Sequence, residues 1–81
     1  MRARVVVTLK KDVLDPQGRA IQRACQSLGH GQVTDVRQGK LFEITLDGVD
    51  PRGAQALLQQ LGERLLANPV IEDFRVEQVE P

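Results

Sequence analysis

The chain has 81 residues, with 11 cationic and 11 anionic side chains, a formal net charge of zero and a pI near 6.6. That balance gives no electrostatic pull toward nucleic acid or an anionic membrane. The single cysteine, Cys25, excludes an intrachain disulfide, and no apolar run approaches the roughly 18 residues needed to span a bilayer.

A chain of this length makes one domain, expected to occupy residues 1–81. It buries only about 60% of the surface its unfolded chain exposes, so a lone core is marginal. Neither a disulfide nor a structural-metal ligand set is present to reinforce it. Self-association is the simplest remaining source of stability. Met1-Arg2-Ala3-Arg4 leads straight into a strand and leaves no room for a signal peptide. A soluble cytoplasmic protein is expected.

The first element is a strand. Arg4-Val5-Val6-Val7-Thr8-Leu9 is β-branched, with Ala3, Val5, Val7 and Leu9 on one face and Arg2, Arg4, Val6, Thr8 and Lys10 on the other. Asp15 then suits a helix N-cap, with Pro16 at the first helical position, where its missing N–H costs nothing. The helix carries Ala20, Ile21, Ala24, Cys25 and Leu28 on one stripe, expected to be core. Gly29 ends it at a position that favours positive φ.

Val33–Arg37 and Lys40–Leu46 read as a hairpin turning at Gln38-Gly39. In the second arm Phe42, Ile44 and Leu46 alternate with Leu41, Glu43 and Thr45. Val33 and Val36 are out of period two, which predicts a bulge or a late strand start in the first arm. Asp50 caps and Pro51 opens a second helix whose stripe is Ala54, Leu57, Leu58, Leu61 and Leu65. Asn68-Pro69 stops it, because Asn tolerates the left-handed region and Pro cannot continue a helix. Ile71–Val79 is the last strand, with Phe74 and Val76 on one face.

The order βαββαβ predicts an α+β, ferredoxin-like fold: two helices on one face of a four-stranded antiparallel sheet. Both helices open on the same pattern, Asp15-Pro16-Gln17-Gly18 and Asp50-Pro51-Arg52-Gly53, which fits a pseudo-twofold plan and equally fits convergent capping. The uncovered sheet face would show Val6, Leu41 and Ile71 or Val79 among Arg2, Arg4, Thr8 and Glu43, a modest patch suited to self-association or a partner.

No catalytic constellation is visible. His30 lies between two glycines with no partner triad. Ser27 lacks a nucleophile elbow, and Cys25 belongs to an apolar stripe. Glu72 and Asp73 are adjacent on a strand and point to opposite faces, a poor acid/base pair. No phosphate-binding loop, dinucleotide fingerprint or metal spacing occurs. With only Phe42 and Phe74 as aromatics, base stacking of RNA on the sheet is excluded. A small regulatory module that binds a ligand between paired domains remains open as an alternative. No catalytic residue, metal ligand or cofactor is assigned to this chain.

Three segments carry the most specific signal: Val13-Leu14-Asp15-Pro16-Gln17-Gly18, Asp35-Val36-Arg37-Gln38-Gly39-Lys40, and Leu65-Leu66-Ala67-Asn68-Pro69-Val70-Ile71-Glu72-Asp73-Phe74. In that order, from Val5 to about Val76, the chain resembles the PurS family, the small subunit of bacterial and archaeal phosphoribosylformylglycinamidine (FGAM) synthase. The resemblance implies a non-catalytic subunit that holds a glutaminase against an ATP-dependent synthetase, with ATP and Mg²⁺ in the synthetase partner. The implied reaction converts formylglycinamide ribonucleotide, glutamine and ATP to formylglycinamidine ribonucleotide, glutamate, ADP and phosphate, in purine biosynthesis. The small core and the half-covered sheet, for their part, predict a homodimer or tetramer. Partner contacts would fall on Leu14, Asp15, Pro16, Gln17, Gly18, Arg37, Gly39, Lys40, Asn68, Pro69, Glu72 and Asp73. Each segment also has a purely structural reading: Asp15-Pro16 and Asn68-Pro69 punctuate helices, and Gly39 permits a turn. Arg37 and Lys40 are expected at the solvent end of the hairpin, where exposed cations also guard an edge.

Overall fold

A computed structural model describes residues 1–77. The element order is β1 (Arg2–Leu9), α1 (Pro16–Ser27), β2 (Gly39–Thr45), α2 (Pro51–Leu61), a π-helical turn (Gly62–Leu66) and β3 (Glu72–Glu77). The class is α+β, as expected, but the sheet has three antiparallel strands in the order β2-β1-β3, not four.

The missing strand is the first arm of the expected hairpin. Val33–Gln38 runs without regular strand pairing, and its polar groups turn toward the start of α1. The Gln38 amide donates to Asp15 Oδ2 (2.7 Å), and Arg37 Nη2 donates to the carbonyls of Lys10 (2.8 Å) and Val13 (3.0 Å). Val33 and Val36, three apart, would fall on opposite faces of a strand and cannot both face the core. The irregularity read as a bulge is the loss of the strand.

The sheet's inner face follows the β1 alternation. Ala3, Val5 and Val7 are buried, and with Leu58 and Ala67 they form the core, against which Phe42, Ile44, Leu46, Leu61, Leu66, Phe74 and Val76 pack. The register pairs Val5 with Phe42 and Val76, and Val7 with Phe74, so one layer crosses all three strands. The outer face carries Arg4, Val6, Thr8, Leu41, Glu43, Asp73, Arg75 and Glu77, as the alternation predicted. Val79 lies outside the described residues.

Both helix starts match expectation. Asp15 accepts from the Gly18 amide (3.0 Å) and Asp50 from the Gly53 amide (2.6 Å), each followed by proline at the first turn. At the end of α1, Gly29 has φ +93°. Its amide donates to Gln26 O and that of His30 to Cys25 O, the paired bonds of a Schellman motif.

Among the described residues, α2 and the π turn after it cover the sheet, and α1 does not. Helix α1 buries no side chain, only Gly18 at its root, and it makes at most marginal contact with strands or α2. Its expected core stripe is open: Ile21 is 44% and Leu28 75% exposed, and Ala20 and Ala24 are exposed too. Residues 16–38 therefore form an arm beside the body. The chain measures 49 × 27 × 13 Å, with a radius of gyration of 15.9 Å, against about 12 Å for a compact chain of this length.

The α2 stripe also departs from expectation, in its middle, where Leu57 is exposed at 37%, and at its end. Ala54 and Leu58 are buried and Leu61 half-buried, but Leu65 is 72% exposed and Leu66 takes the inward place. The π turn holds one extra residue per turn and moves the stripe on by one position. Asn68 is not left-handed, since among the described residues no non-glycine has positive φ. Instead its side chain accepts from the Val70 amide (3.0 Å), and its carbonyl from those of Ile71 (3.2 Å) and Glu72 (2.7 Å). That turn delivers the chain into β3.

Candidate contact site

The three singled-out segments meet at one end of the sheet. β1 ends at Leu9, where the Lys10 amide donates to Ile71 O (2.9 Å) and ties the α1 approach to the corner before β3. Thr8 pairs with Gly39 and with Asp73, which brings the starts of β2 and β3 to the same edge. A hollow of about 150 Å³ lies between them, walled by Leu9, Asp15, Gln17, Gln38, Lys40 and Glu72. A second, of about 240 Å³, opens beside Lys10, Ala67, Pro69, Glu72, Asp73 and Phe74. Glu72 stands between the two.

Asp15 is the centre of this end. Its side chain is 6% exposed and receives two backbone amides, Gly18 on Oδ1 and Gln38 on Oδ2. These bonds, the Gly18 one foremost, hold the carboxyl below its ordinary value of 3.8; burial opposes them, and the Arg37 guanidinium adds to them. A carboxylate so engaged is a structural acceptor rather than a base. Pro16 opens α1, and the Gln17 and Gln38 side chains bond one another. Leu14 is 66% exposed.

Two glycines permit close backbone approach here. A Cβ on Gly18 would lie 2.2 Å from Val36 O, and one on Gly39 2.6 Å from Val7 O. Gly39 therefore serves a crossing between segments, not the hairpin turn expected of it.

Arg37 and Lys40 part company. Arg37 is not a free cation at a hairpin tip: it ties two carbonyls of the loop after β1. Lys40 stays exposed, with Nζ 3.8 Å from Glu72 Oε2, a distance and setting that contribute little to stability. Glu72 Oε1 accepts from the Asn68 amide (2.8 Å), and Asp73 pairs with Lys10 at 2.8 Å on the outer face. Pro69 and Val70 are exposed at the corner, Val70 at 78%.

The sequence reading missed Gln38 and Lys10. Gln38 was read as a turn residue, and nothing in its neighbours signals that both its backbone and its side chain are engaged. Gly62 was missed as well. A Cβ there would lie 2.3 Å from Phe74 Cε2, so the glycine at the start of the π turn is the seat of the aromatic ring. His30 and Ser27 are exposed on the arm, far in sequence from this end. Among the described residues, no three His, Cys, Asp or Glu side chains gather as a metal-binding group. The geometry offers contact surface and hydrogen-bonding edges, and pairs no nucleophile with a base.

The family model described as PurS, phosphoribosylformylglycinamidine (FGAM) synthase, matches residues 2–80. The PurS subunit of Bacillus subtilis is 47% identical over 94% of this chain and 89% of its own length, and that of Mycobacterium leprae 49% identical over 93% and 91%. Among solved structures, Thermus thermophilus PurS superposes with a TM-score of 0.83 at 36% identity, covering 98% of this chain and 96% of that one. A chain in the structure of PurLQS from Thermotoga maritima superposes at 0.87 with 26% identity, covering 96% and 95%. With a full-length family match, close relatives of equal length and a shared fold, the chain belongs to the PurS family.

Proposed function

We propose that this chain is the small, non-catalytic subunit of a phosphoribosylformylglycinamidine synthase, acting in purine biosynthesis by holding a glutaminase subunit against an ATP-dependent synthetase. The observation that carries the reading is the family match over residues 2–80, joined to the likeness to a chain of the Thermotoga maritima PurLQS assembly. The convergence of the three segments at one end of the sheet supports a contact role. ATP and Mg²⁺ then belong to the synthetase partner, and no cofactor to this chain. Leu14, Lys40, Pro69 and Asp73, all exposed, are assigned to partner contact; the buried Asp15 and Gly18, with the exposed Arg37 and Gly39, shape that surface through their bonds and close approaches. No described helix is long and apolar enough to cross a membrane.

Self-association, as a homodimer or tetramer, belongs to the same proposal. The accessible surface is 6135 Å², against about 4,900 Å² for a compact monomer of this mass. The excess, roughly 1,200 Å², exceeds the ~800 Å² per partner of a standard interface. The open stripe of α1, from Ala20 to Leu28, is the apolar surface that a second copy would cover.

The test is reconstitution. Tagged chain mixed with the synthetase and glutaminase subunits of its own organism, with glutamine and MgADP, is expected to co-elute with both. Lys40→Ala is expected to lower glutamine-driven synthesis more than synthesis driven by free ammonia, because only the former needs the glutaminase docked. Full glutamine-dependent activity of the other two subunits without this chain would overturn the assignment.

A further inference from the structure

The arm of residues 16–38 joins the body at two crossings, residues 10–15 outward and 37–39 inward. Its direction is set there, because α1 buries no side chain against the sheet or α2. The crossings hold one polar node. Asp15 clamps its own helix through the Gly18 amide and the returning segment through the Gln38 amide. Arg37 clamps the outgoing segment through the Lys10 and Val13 carbonyls. Each crossing thus holds the other, and the Gln17–Gln38 side-chain bond adds a third tie. Gly18 lets the Val36 carbonyl approach to a distance no Cβ would allow, and Gly39 does the same for Val7.

We propose that Asp15 and Arg37 are positioning residues of a hinge: their reciprocal bonds fix the angle between the α1 arm and the sheet, independently of the apolar core. The core cluster of Ala3, Val5, Val7, Leu58 and Ala67 includes no arm residue. Opening the node therefore frees the arm without melting the body. Backbone bonds around a buried carboxylate are directional, whereas apolar contacts are not, and this suits a joint that must present one orientation. The inference concerns the arm's direction in this chain alone and does not rest on the assignment to a synthase. Reconstitution tests that assignment, and a distance measurement tests this one.

Spin labels on Ser27→Cys in the arm and Thr45→Cys in the body, in a Cys25→Ala background, report the angle by pulsed dipolar spectroscopy. Labelled chain is diluted with unlabelled chain so that pairs between copies do not contribute. A narrow distance distribution is expected for the parent. Asp15→Ala and Arg37→Ala are expected to broaden it about twofold or more while amide protection in β1 and α2 persists. Asp15→Asn keeps one acceptor oxygen and is expected to fall between, while Lys40→Ala is expected to leave the distribution unchanged. If Asp15→Ala loses protection in β1, Asp15→Asn decides the question by the same criterion. Distributions as narrow as the parent's in folded Asp15 and Arg37 variants would overturn the hinge.

Discussion

Gly62→Ala is the most demanding test of the packing. The π turn begins at Gly62, and an added methyl would sit 2.3–2.7 Å from three atoms of the Phe74 ring. Carbon atoms in contact rest at about 3.5–4.0 Å, so ring or helix must yield by more than 1 Å. The ring has little freedom: Phe74 pairs with Val7 in mid-sheet and packs against the core cluster. Overpacking of this kind costs about 1–3 kcal/mol, and the severity of the clash places it near the upper end. Removing a helical glycine returns about 1 kcal/mol. The net expectation is destabilisation by about 2 kcal/mol, which in a domain of this size lowers Tm by roughly 8–16 °C. Melting is compared at one protein concentration, so that the proposed self-association does not enter the difference.

The sign is decided by a double-mutant cycle with Phe74→Leu. The smaller side chain leaves room for the methyl, so Gly62→Ala in that background should be neutral or should stabilise by up to about 1 kcal/mol. If Gly62→Ala stabilises both backgrounds equally, Phe74 does not sit on Gly62 and the account of the π turn is wrong.

Leu58→Ala is expected to cost about 2–5 kcal/mol because its side chain is 3% exposed in the core. Leu57→Ala and Leu65→Ala, at exposed positions, should stay within about 1 kcal/mol, read by urea denaturation. Asp15 gives a pH signature. Its folded pKa lies below 3.8, so its contribution is fully present above the unfolded value and is lost as pH falls through the folded one. Stability should therefore drop more steeply for the parent than for Asp15→Asn below about pH 4, with no difference in slope between pH 5 and 8.

The sequence made the local grammar plain and the global placement less so. Both Asp-Pro helix starts, the Gly29 terminus and the alternation of β1 and β2 follow from backbone preferences acting within a few residues. The expected four-stranded sheet failed because strand pairing is non-local. Val33 and Val36 carry β-propensity, but Asp15 and Arg37 draw that segment's ends to the root of α1. The α1 stripe was correctly read as apolar, yet periodicity states only that a face seeks cover and not what covers it. Leu65 and Leu66 were exchanged because one π turn shifts the phase, an event that Gly62 permits but does not announce. Among the site residues, the three segments did converge. That Asp15 and Arg37 tie these segments together, while Leu14, Lys40, Pro69 and Asp73 lie exposed, became visible only with the hydrogen bonds and burial.

The open arm also determines how this chain should respond to dilution. Isolated helices shorter than about 12–15 residues are marginal in water, and α1 has 12 residues. Its Asp15 cap and Schellman terminus stabilise only its ends. Those terms hold a helix that is already favoured and do not offset the exposure of Ile21 and Leu28. The body differs, since β1 is flanked on both edges and covered by α2. Stability is therefore unequal along the chain, with the body retaining protection by itself and the arm gaining it from whatever covers the stripe. Amide exchange measured across a dilution series should show α1 losing protection with falling concentration while β1 does not. Loss of both together would mean that arm and body form one cooperative unit, and α1 protection independent of concentration would mean that no second copy covers it.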